Sequence, residues 1–279
     1  MTNAMSLAKQ FGLIEEPSPE IQAEIERLSR EPYLELDQVK LCHAWMYELV
    51  ISRMTGLLTG NSRCGKTVAS KAFAHRYNKL REGRGQRIKP VVYIQIPKNC
   101  GSRDFFIKIL KSLNKPSNGT ISDLRERVLD SLEIHKVEML IVDEANHFKY
   151  ETFSEVRHIY GEDNLRISVL LVGTTSRLLS VVKRDEQVLH RFLEQFELDR
   201  LDDVQFKQMI QIWEQNVLRL PEESKLADGD NLKILKQATK KLIARLDMIL
   251  RKAAIRSLLR GHKKVDKDVL KEIINATKF

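Results

Sequence analysis

The sequence predicts an α/β fold in which a central parallel sheet is flanked by helices, with a helical N-terminal preface and a small C-terminal helical region. Three observations predict it. A short apolar run over residues 54–59 leads into Gly60-Asn61-Ser62-Arg63-Cys64-Gly65-Lys66-Thr67, which fits G-x-x-x-x-G-K-[ST] at every fixed position and precedes a helical stretch from 68 to 80. A second apolar run, 137–142, delivers two adjacent acids, Asp143 and Glu144. Further apolar runs alternate with helical patterns, as parallel strands joined by helical crossovers require.

The glycine loop carries the first piece of chemistry. Glycines at both ends let the backbone turn tightly, so that the N–H groups of residues 60–68, through Asn61, Ser62, Arg63, Cys64 and Val68, can cradle the phosphates of a nucleoside triphosphate. Lys66 is expected to reach the β and γ phosphates and Thr67 to ligate Mg²⁺. The strand–loop–helix order also sets a helix N-terminus against the anion. Cys64 sits at a variable loop position, where the backbone does the binding, so its side chain reads as structural. Asp143 is assigned to the Mg²⁺ shell and Glu144 to the attacking water. Two acids ending a strand are also common in surface turns, and it is the pairing with the glycine loop that favours catalysis. A strand over 167–172 ends at Gly173-Thr174-Thr175, where Thr174 can bond a γ-phosphate or the lytic water, or cap the next helix. The ligand is expected beyond the carboxyl ends of the strands.

The remaining elements follow in order. Ser18, Pro19 and Glu20 read as an N-cap, a first helical residue and a first-turn acid, opening a helix to about Arg30. A second helix over 36–52 shows an apolar face of Val39, Leu41, Trp45, Leu49 and Val50. Residues 81–90 form a glycine-containing basic loop, and 91–96 a strand between Pro90 and Pro97. Phe105, Phe106, Ile109, Leu110 and Leu113 follow a helical period. Thr120 and Asp123 resemble a capping box for a helix to about His135. Residues 152–160 supply a crossover helix, 183–192 read as charged helix, and 196–198 as a last strand. Phe206, Met209, Ile210, Trp213 and Val217 form a helical core stripe. A polar linker over 221–231 precedes helices at 232–240, 241–259 and 266–276. The domain boundaries expected are 1–52, 53–200 and 201–279.

With 279 residues and 42% hydrophobic content the chain can bury a sizeable core. It has no apolar run long enough to span a membrane and no signal-like start, so a cytoplasmic protein with no membrane partner is expected. Cys42, Cys64 and Cys100 are widely spaced and expected as free thiols. The net charge of +9 is unevenly spread: residues 232–279 carry 14 Lys/Arg against 4 Asp/Glu, whereas the first 231 carry 33 against 34. Such asymmetry suggests nucleic acid or an acidic partner, and a solvated cationic face explains the charge equally well. His147 reads as a solvated loop residue, and Trp45, Tyr47 and Trp213 are too sparse for a base-stacking platform.

The glycine loop, the strand ending in Asp-Glu, the strand ending in Thr174, the pair Arg191-Phe192 and the helical C-terminal region together resemble the AAA+ ATPases. More narrowly, VVYI at 91–94, SDLRER at 122–127, VEMLIVDEA at 137–145, KRDEQVLHRF at 183–192 and RLDMILRKAAIRSLLRG at 245–261 resemble the TnsC/TniB transposition regulators, most closely those of cyanobacterial CRISPR-associated transposons. The resemblance implies an AAA+ fold with a C-terminal helical lid, ATP and Mg²⁺ as ligands, and ATP hydrolysis. It implies that Arg191 is an arginine finger acting on a neighbouring subunit, that Arg245 is a sensor-two residue and Thr174 sensor one. It further implies helical homo-oligomers on double-stranded DNA, with Arg103 and Thr120, and more weakly Lys98 and Lys115, on the DNA backbone without sequence preference. Implied partners are a TnsB-type transposase, a TniQ-type adaptor and, indirectly, an RNA-guided effector. Two alternatives are an ATPase loader that remodels a protein partner and an ATP-dependent DNA scaffold with negligible turnover. Glu144 argues against the scaffold, which needs the metal-binding acid but not the water-activating one.

Overall fold

The computed structural model describes residues 17–30, 36–81, 88–162 and 165–277. Residues 1–16, and the 82–87 part of the expected basic loop, lie outside the described residues. The described residues divide into two units, one spanning 36–199 and the other joining 17–30 to 200–277.

In the first unit five strands form one parallel sheet: β1 Gly56–Gly60, β2 Val91–Gln95, β3 Met139–Asp143, β4 Ser168–Val172 and β5 Glu194–Leu198, in the order β2-β3-β4-β1-β5. The central strands read GLLTG, MLIVD and SVLLV and are buried along their whole length, as expected of parallel strands covered on both faces. The edge strands β2 and β5 are part-exposed. Alternation along each strand sends residues to two separate cores. Val92, Ile94, Leu140, Val142, Val169 and Leu171 face one core, and Val91, Met139, Ile141, Leu170 and Val172 face the other.

The helices of this unit, described with α1 Pro19–Ser29 of the other unit counted first, are α2 Asp37–Ser52, α3 Lys66–Arg81, α4 Ser102–Ser112, α5 Ile121–Ile134, α6 Thr152–Gly161, α7 Thr175–Val182 and the short α8 Glu186–Leu189. Residues of α2 and α3 fill the Val91 face, and those of α4 to α8 fill the Val92 face. The expected apolar stripe of α4 is buried throughout. Phe105 makes an edge contact with Phe148 at 5.2 Å, and Phe148 another with Phe153 at 5.4 Å. These rings tie α4 and α6 to the segment after β3.

Three sequence readings are corrected here. On α2 the core face is Cys42, Met46, Leu49 and Val50, while Leu41 is 64% exposed; Val39 and Trp45 pack at its margin. Residues 183–192 are not one helix, because the Asp185 carboxylate accepts from the N–H groups of Gln187 and Val188 and starts the short α8 afresh. Nor is 221–231 a free linker. Glu214 accepts from the N–H groups of Ser224, Lys225 and Leu226, and Leu226 and Ala227 are buried.

The second unit contains α1, α9 Asp203–Trp213, a π-turn Glu214–Leu218, α10 Gly229–Thr239, α11 Ile243–Leu259 and α12 Lys267–Ala276. The expected N-terminal preface therefore divides: α1 belongs with the C-terminal helices and α2 with the sheet. Arg27 fastens α1 through hydrogen bonds to the carbonyls of Val217 and Leu218, and α11 packs on α1, α10 and α12. Part of the basic excess is consumed internally, since Arg256 and Arg260 pair with Glu272 at 2.6 and 2.9 Å and Lys267 with Asp230 at 2.7 Å. Lys252, Lys263 and Lys264 remain exposed. Among the described residues no helix is long and apolar enough to cross a membrane.

Phe105 is fully buried between two other rings, so Phe105→Ala is expected to lower unfolding free energy by about 3–5 kcal/mol. Denaturant titration checks this; a loss below about 1 kcal/mol would contradict the packing.

Candidate functional site

The carboxyl ends of the strands open into a cavity of about 870 Å³ lined by the glycine loop, the ends of β2 and β5, the acid turn and the start of α7. The loop adopts the backbone the spacing predicts. Gly60 has φ +146°, and a Cβ there would lie 2.2 Å from the Leu198 carbonyl oxygen, so only glycine lets β1 end against β5. Gly65 has φ +98° and leads directly into α3. Asn61 and Ser62 line the cavity, Arg63 is exposed and Cys64 buried. Val68 lies on the first turn of α3, 36% exposed.

Lys66 is nearly buried, and its Nζ donates to the carbonyls of Gly60 at 3.0 Å and Asn61 at 2.8 Å. The ammonium is thus held inside the loop by its own backbone, and an incoming phosphate would exchange with these carbonyls. Thr67 Oγ1 donates to Asp143 Oδ2 at 2.7 Å, joining the two sequence landmarks although they are 76 residues apart. The same oxygen accepts from the Tyr93 hydroxyl at 2.7 Å, and Asp143 Oδ1 from the Glu144 N–H at 2.8 Å. A buried carboxylate with no donors would be costly; this one has three. Among the described residues no three His, Cys, Asp or Glu side chains gather into a metal site. Mg²⁺ bound here would therefore take Asp143 and Thr67 together with phosphate and water oxygens, a donor set that suits this ion.

Glu144 lines the cavity with φ +59°, a left-handed backbone that disfavours glutamate, and caps the 3₁₀ turn Ala145–His147. Thr174 lines the same cavity, and its Oγ1 is buried without a hydrogen-bond partner. An orphaned hydroxyl beside a phosphate-shaped loop is what a polar ligand would satisfy. Arg191 is exposed and absent from the lining of this cavity. Its guanidinium stands 5.2 Å from the Tyr160 ring centre, its carbonyl accepts from Thr55, and neighbouring Phe192 packs edge-on to Tyr160. Arg245 lies on α11 in the other unit, lining a cavity of about 420 Å³ with Gln237, Met248 and Asn275.

The proposed DNA contacts separate. Arg103, on the first turn of α4, donates to the Gly119 carbonyl at 2.8 Å, which sets it beside Thr120. Thr120 and Asp123 form the predicted reciprocal cap, whose backbone and hydroxyl bonds hold the Asp123 carboxyl below its ordinary range. Lys98 instead lines the nucleotide-sized cavity, and Lys115 is half-buried between α4 and α5. His147, expected as a solvated loop residue, is half-buried and lines the cavity. All three cysteines are free and buried, and burial pushes the thiols of Cys42 and Cys100 up to about 12.

Sequence reasoning missed Tyr93, Gln95, Asn146, Arg177 and Glu197. Tyr93 and Gln95 are placed by the register of β2 on β3, in which Gln95 faces Asp143. Strand alternation puts Tyr93 on the Asp143 face once that pairing is known. Burial first, then the bond to Asp143, raises the Tyr93 phenol well above its ordinary value, so it remains a donor across the physiological range.

A family model described as Bacterial TniB protein matches residues 39–203. The chain belongs to the TniB family. A search among curated proteins returns no match. Among solved structures, this TniB-family chain resembles Cdc6p from Pyrobaculum aerophilum, with a TM-score of 0.73 and 17% identity over 91% of this chain and 71% of that one. It resembles the Aeropyrum pernix ORC2 protein in its ADPNP-ADP complexes, with a TM-score of 0.69 and 16% identity over 89% and 71%. Drosophila ORC bound to DNA gives 0.62 and 12% over 91% and 65%. At such identities the likeness establishes the fold, which is that of an AAA+ P-loop NTPase.

Because the Tyr93 value is raised by folding, its contribution to stability is complete below the ordinary tyrosine value near 10 and is lost as pH rises beyond it. Tyr93→Phe is accordingly expected to flatten the alkaline fall of the urea midpoint above about pH 10. An unchanged slope would mean that the phenol is not held by Asp143.

Proposed function

We propose that this protein is an AAA+ ATPase regulator of DNA transposition that binds and hydrolyses ATP with Mg²⁺ and assembles as helical oligomers on double-stranded DNA. In that role it links target-selection proteins to a transposase. The observation that carries the reading is the meeting of Thr67 with Asp143 beneath a cavity edged by Glu144 and Thr174, in a chain of the TniB family. The partners fitting this role are a TnsB-type transposase, a TniQ-type adaptor and, through the adaptor, an RNA-guided effector like that of cyanobacterial CRISPR-associated transposons.

Each side chain has a task. The loop N–H groups and Lys66 bind the triphosphate. Mg²⁺, held by Thr67 and Asp143, would neutralise charge on the phosphates. Glu144 accepts a proton from the water that attacks the γ-phosphorus, releasing ADP and phosphate, and the Thr174 hydroxyl orients the reacting groups. Arg191, exposed beside Tyr160, would act in trans on a neighbour's nucleotide as an arginine finger, and Arg245 would be the sensor-two residue. Such a division makes turnover depend on assembly. Arg103 and Thr120, side by side, offer a cation and a hydroxyl to successive phosphates of a duplex, and Lys98 and Lys115 supply further charge. Contacts of that kind mark a site on DNA without reading its sequence.

Electron microscopy with long duplex DNA tests the reading. Ordered filaments are expected with ATP, and none with ADP or with Lys66→Ala; their absence in every condition would move the search to a protein client. Arg191→Ala is expected to keep ATP affinity and lose DNA-stimulated hydrolysis, whereas normal turnover would remove the trans role. Arg103→Ala should weaken all duplexes alike and lower the salt slope by about one ion per subunit; a changed sequence preference would contradict a backbone contact.

A further inference from the structure

Asn146 stands two residues beyond Glu144, on the 3₁₀ turn that Glu144 caps, and lines the nucleotide-sized cavity. Its Oδ1 accepts from the backbone N–H of Thr174 at 3.4 Å, a long bond in a precise place. Thr174 is the residue whose hydroxyl is buried without a partner. Gly173 explains how the contact fits. That glycine is buried with an ordinary φ, so no backbone conformation demands it, yet a Cβ there would lie 2.6 Å from Asn146 Oδ1. The same Cβ would stand 3.2 Å from Leu178 Cβ, so the glycine at the end of β4 sits against both the Asn146 amide and the Leu178 side chain.

We infer that Asn146 is a positioning residue for ATP hydrolysis, fixing the Thr174 hydroxyl relative to the Glu144 carboxylate. The inference rests on the ATPase reading above and extends it to a residue that reading does not use. Physically, the water-activating acid and the orienting hydroxyl come from different strands, β3 and β4, and their separation has to be held more closely than loose turns allow. The parallel ladder between those strands extends from Met139↔Ser168 to Val142↔Leu171 and stops before both groups. Beyond it, Asn146 supplies the cross-link that the sheet no longer provides. Glu144 belongs to the same short turn, so a displacement of Thr174 from Asn146 is a displacement from Glu144.

A double-mutant cycle separates this role from simple packing. Asn146→Ala is expected to lower kcat by roughly 10- to 100-fold, the scale of a small misplacement of reacting groups, with ADP affinity held within about threefold. Thr174→Val removes the hydroxyl while keeping the N–H. If Asn146 acts through that hydroxyl, the Asn146→Ala/Thr174→Val double variant is no slower than Thr174→Val alone. Gly173→Ala, whose Cβ would displace the same oxygen and also press on Leu178, is expected to lower kcat as well without adding to the loss in Thr174→Val, and serves if Asn146→Ala does not fold. The same cycle is read by binding, as the preference for ATPγS over ADP: each single variant reduces it by a similar factor, and the double no further. Wild-type kcat in Asn146→Ala, or losses that multiply in the double variant, would overturn the role. Turnover no higher in the wild type than in Lys66→Ala would instead overturn the hydrolysis reading, and the binding cycle would still decide whether Asn146 controls Thr174.

Discussion

The hydrogen bond from Thr67 to Asp143 is the constraint on which the rest of the structure depends. Thr67 lies on the first turn of α3, which the glycine loop joins to β1, and Asp143 ends β3; the two strands are not neighbours, because the sheet order places β4 between them. For the glycine loop to lie against the acid strand, β4 has to end early, and it does so at Val172 with the buried glycine of residue 173. On the other side of β3, the register that sets Gln95 beside Asp143 brings the Tyr93 hydroxyl to the same carboxylate. Sheet order, strand length and register thus converge on two oxygen atoms.

Both charged groups of that arrangement find hydrogen-bond partners within the chain. Asp143 is satisfied by two hydroxyls and one backbone N–H, and Lys66 by two carbonyls of its own loop. Neither is left unpaired in the interior, where an unpaired charge would be most costly. Both sets of bonds are made to groups that a triphosphate and its cation would replace or share. Glu144 departs from this economy: its left-handed backbone would suit glycine or asparagine better. A chain that keeps a glutamate there retains local strain at the position facing the cavity, as functional sites commonly do.

Local chemistry was the part of this molecule most legible in the sequence. The glycine loop, the strand ending in two acids and the Thr120–Asp123 cap each depend on residues within a few positions of one another, and each formed as read. What escaped depends on pairing across distance. Tyr93 and Gln95 join the site only through the register of β2 on β3, and Asn146 only through the spacing of β3 and β4. The 221–231 segment looked like a linker because its organiser, Glu214, precedes it and caps its N–H groups from outside. Leu41 reads as part of the apolar face of α2 because it is apolar, but the buried side of that helix runs through Cys42 and Met46 instead. The break at Asp185 shows the same limit at short range, since a single capping carboxylate outweighed a continuous helical composition.

A cation-dependent triphosphate site at Asp143 and Thr67 is the proposal on which the proposed function depends. Equilibrium binding of a fluorescent ATP analogue, measured with Mg²⁺ and with EDTA, tests it most directly in the wild-type protein and in Asp143→Asn. Mg²⁺ is expected to tighten binding by at least about tenfold in the wild type, equivalent to about 1.4 kcal/mol, and this gain to disappear in Asp143→Asn. Wild-type affinity that is the same with Mg²⁺ and with EDTA would contradict it.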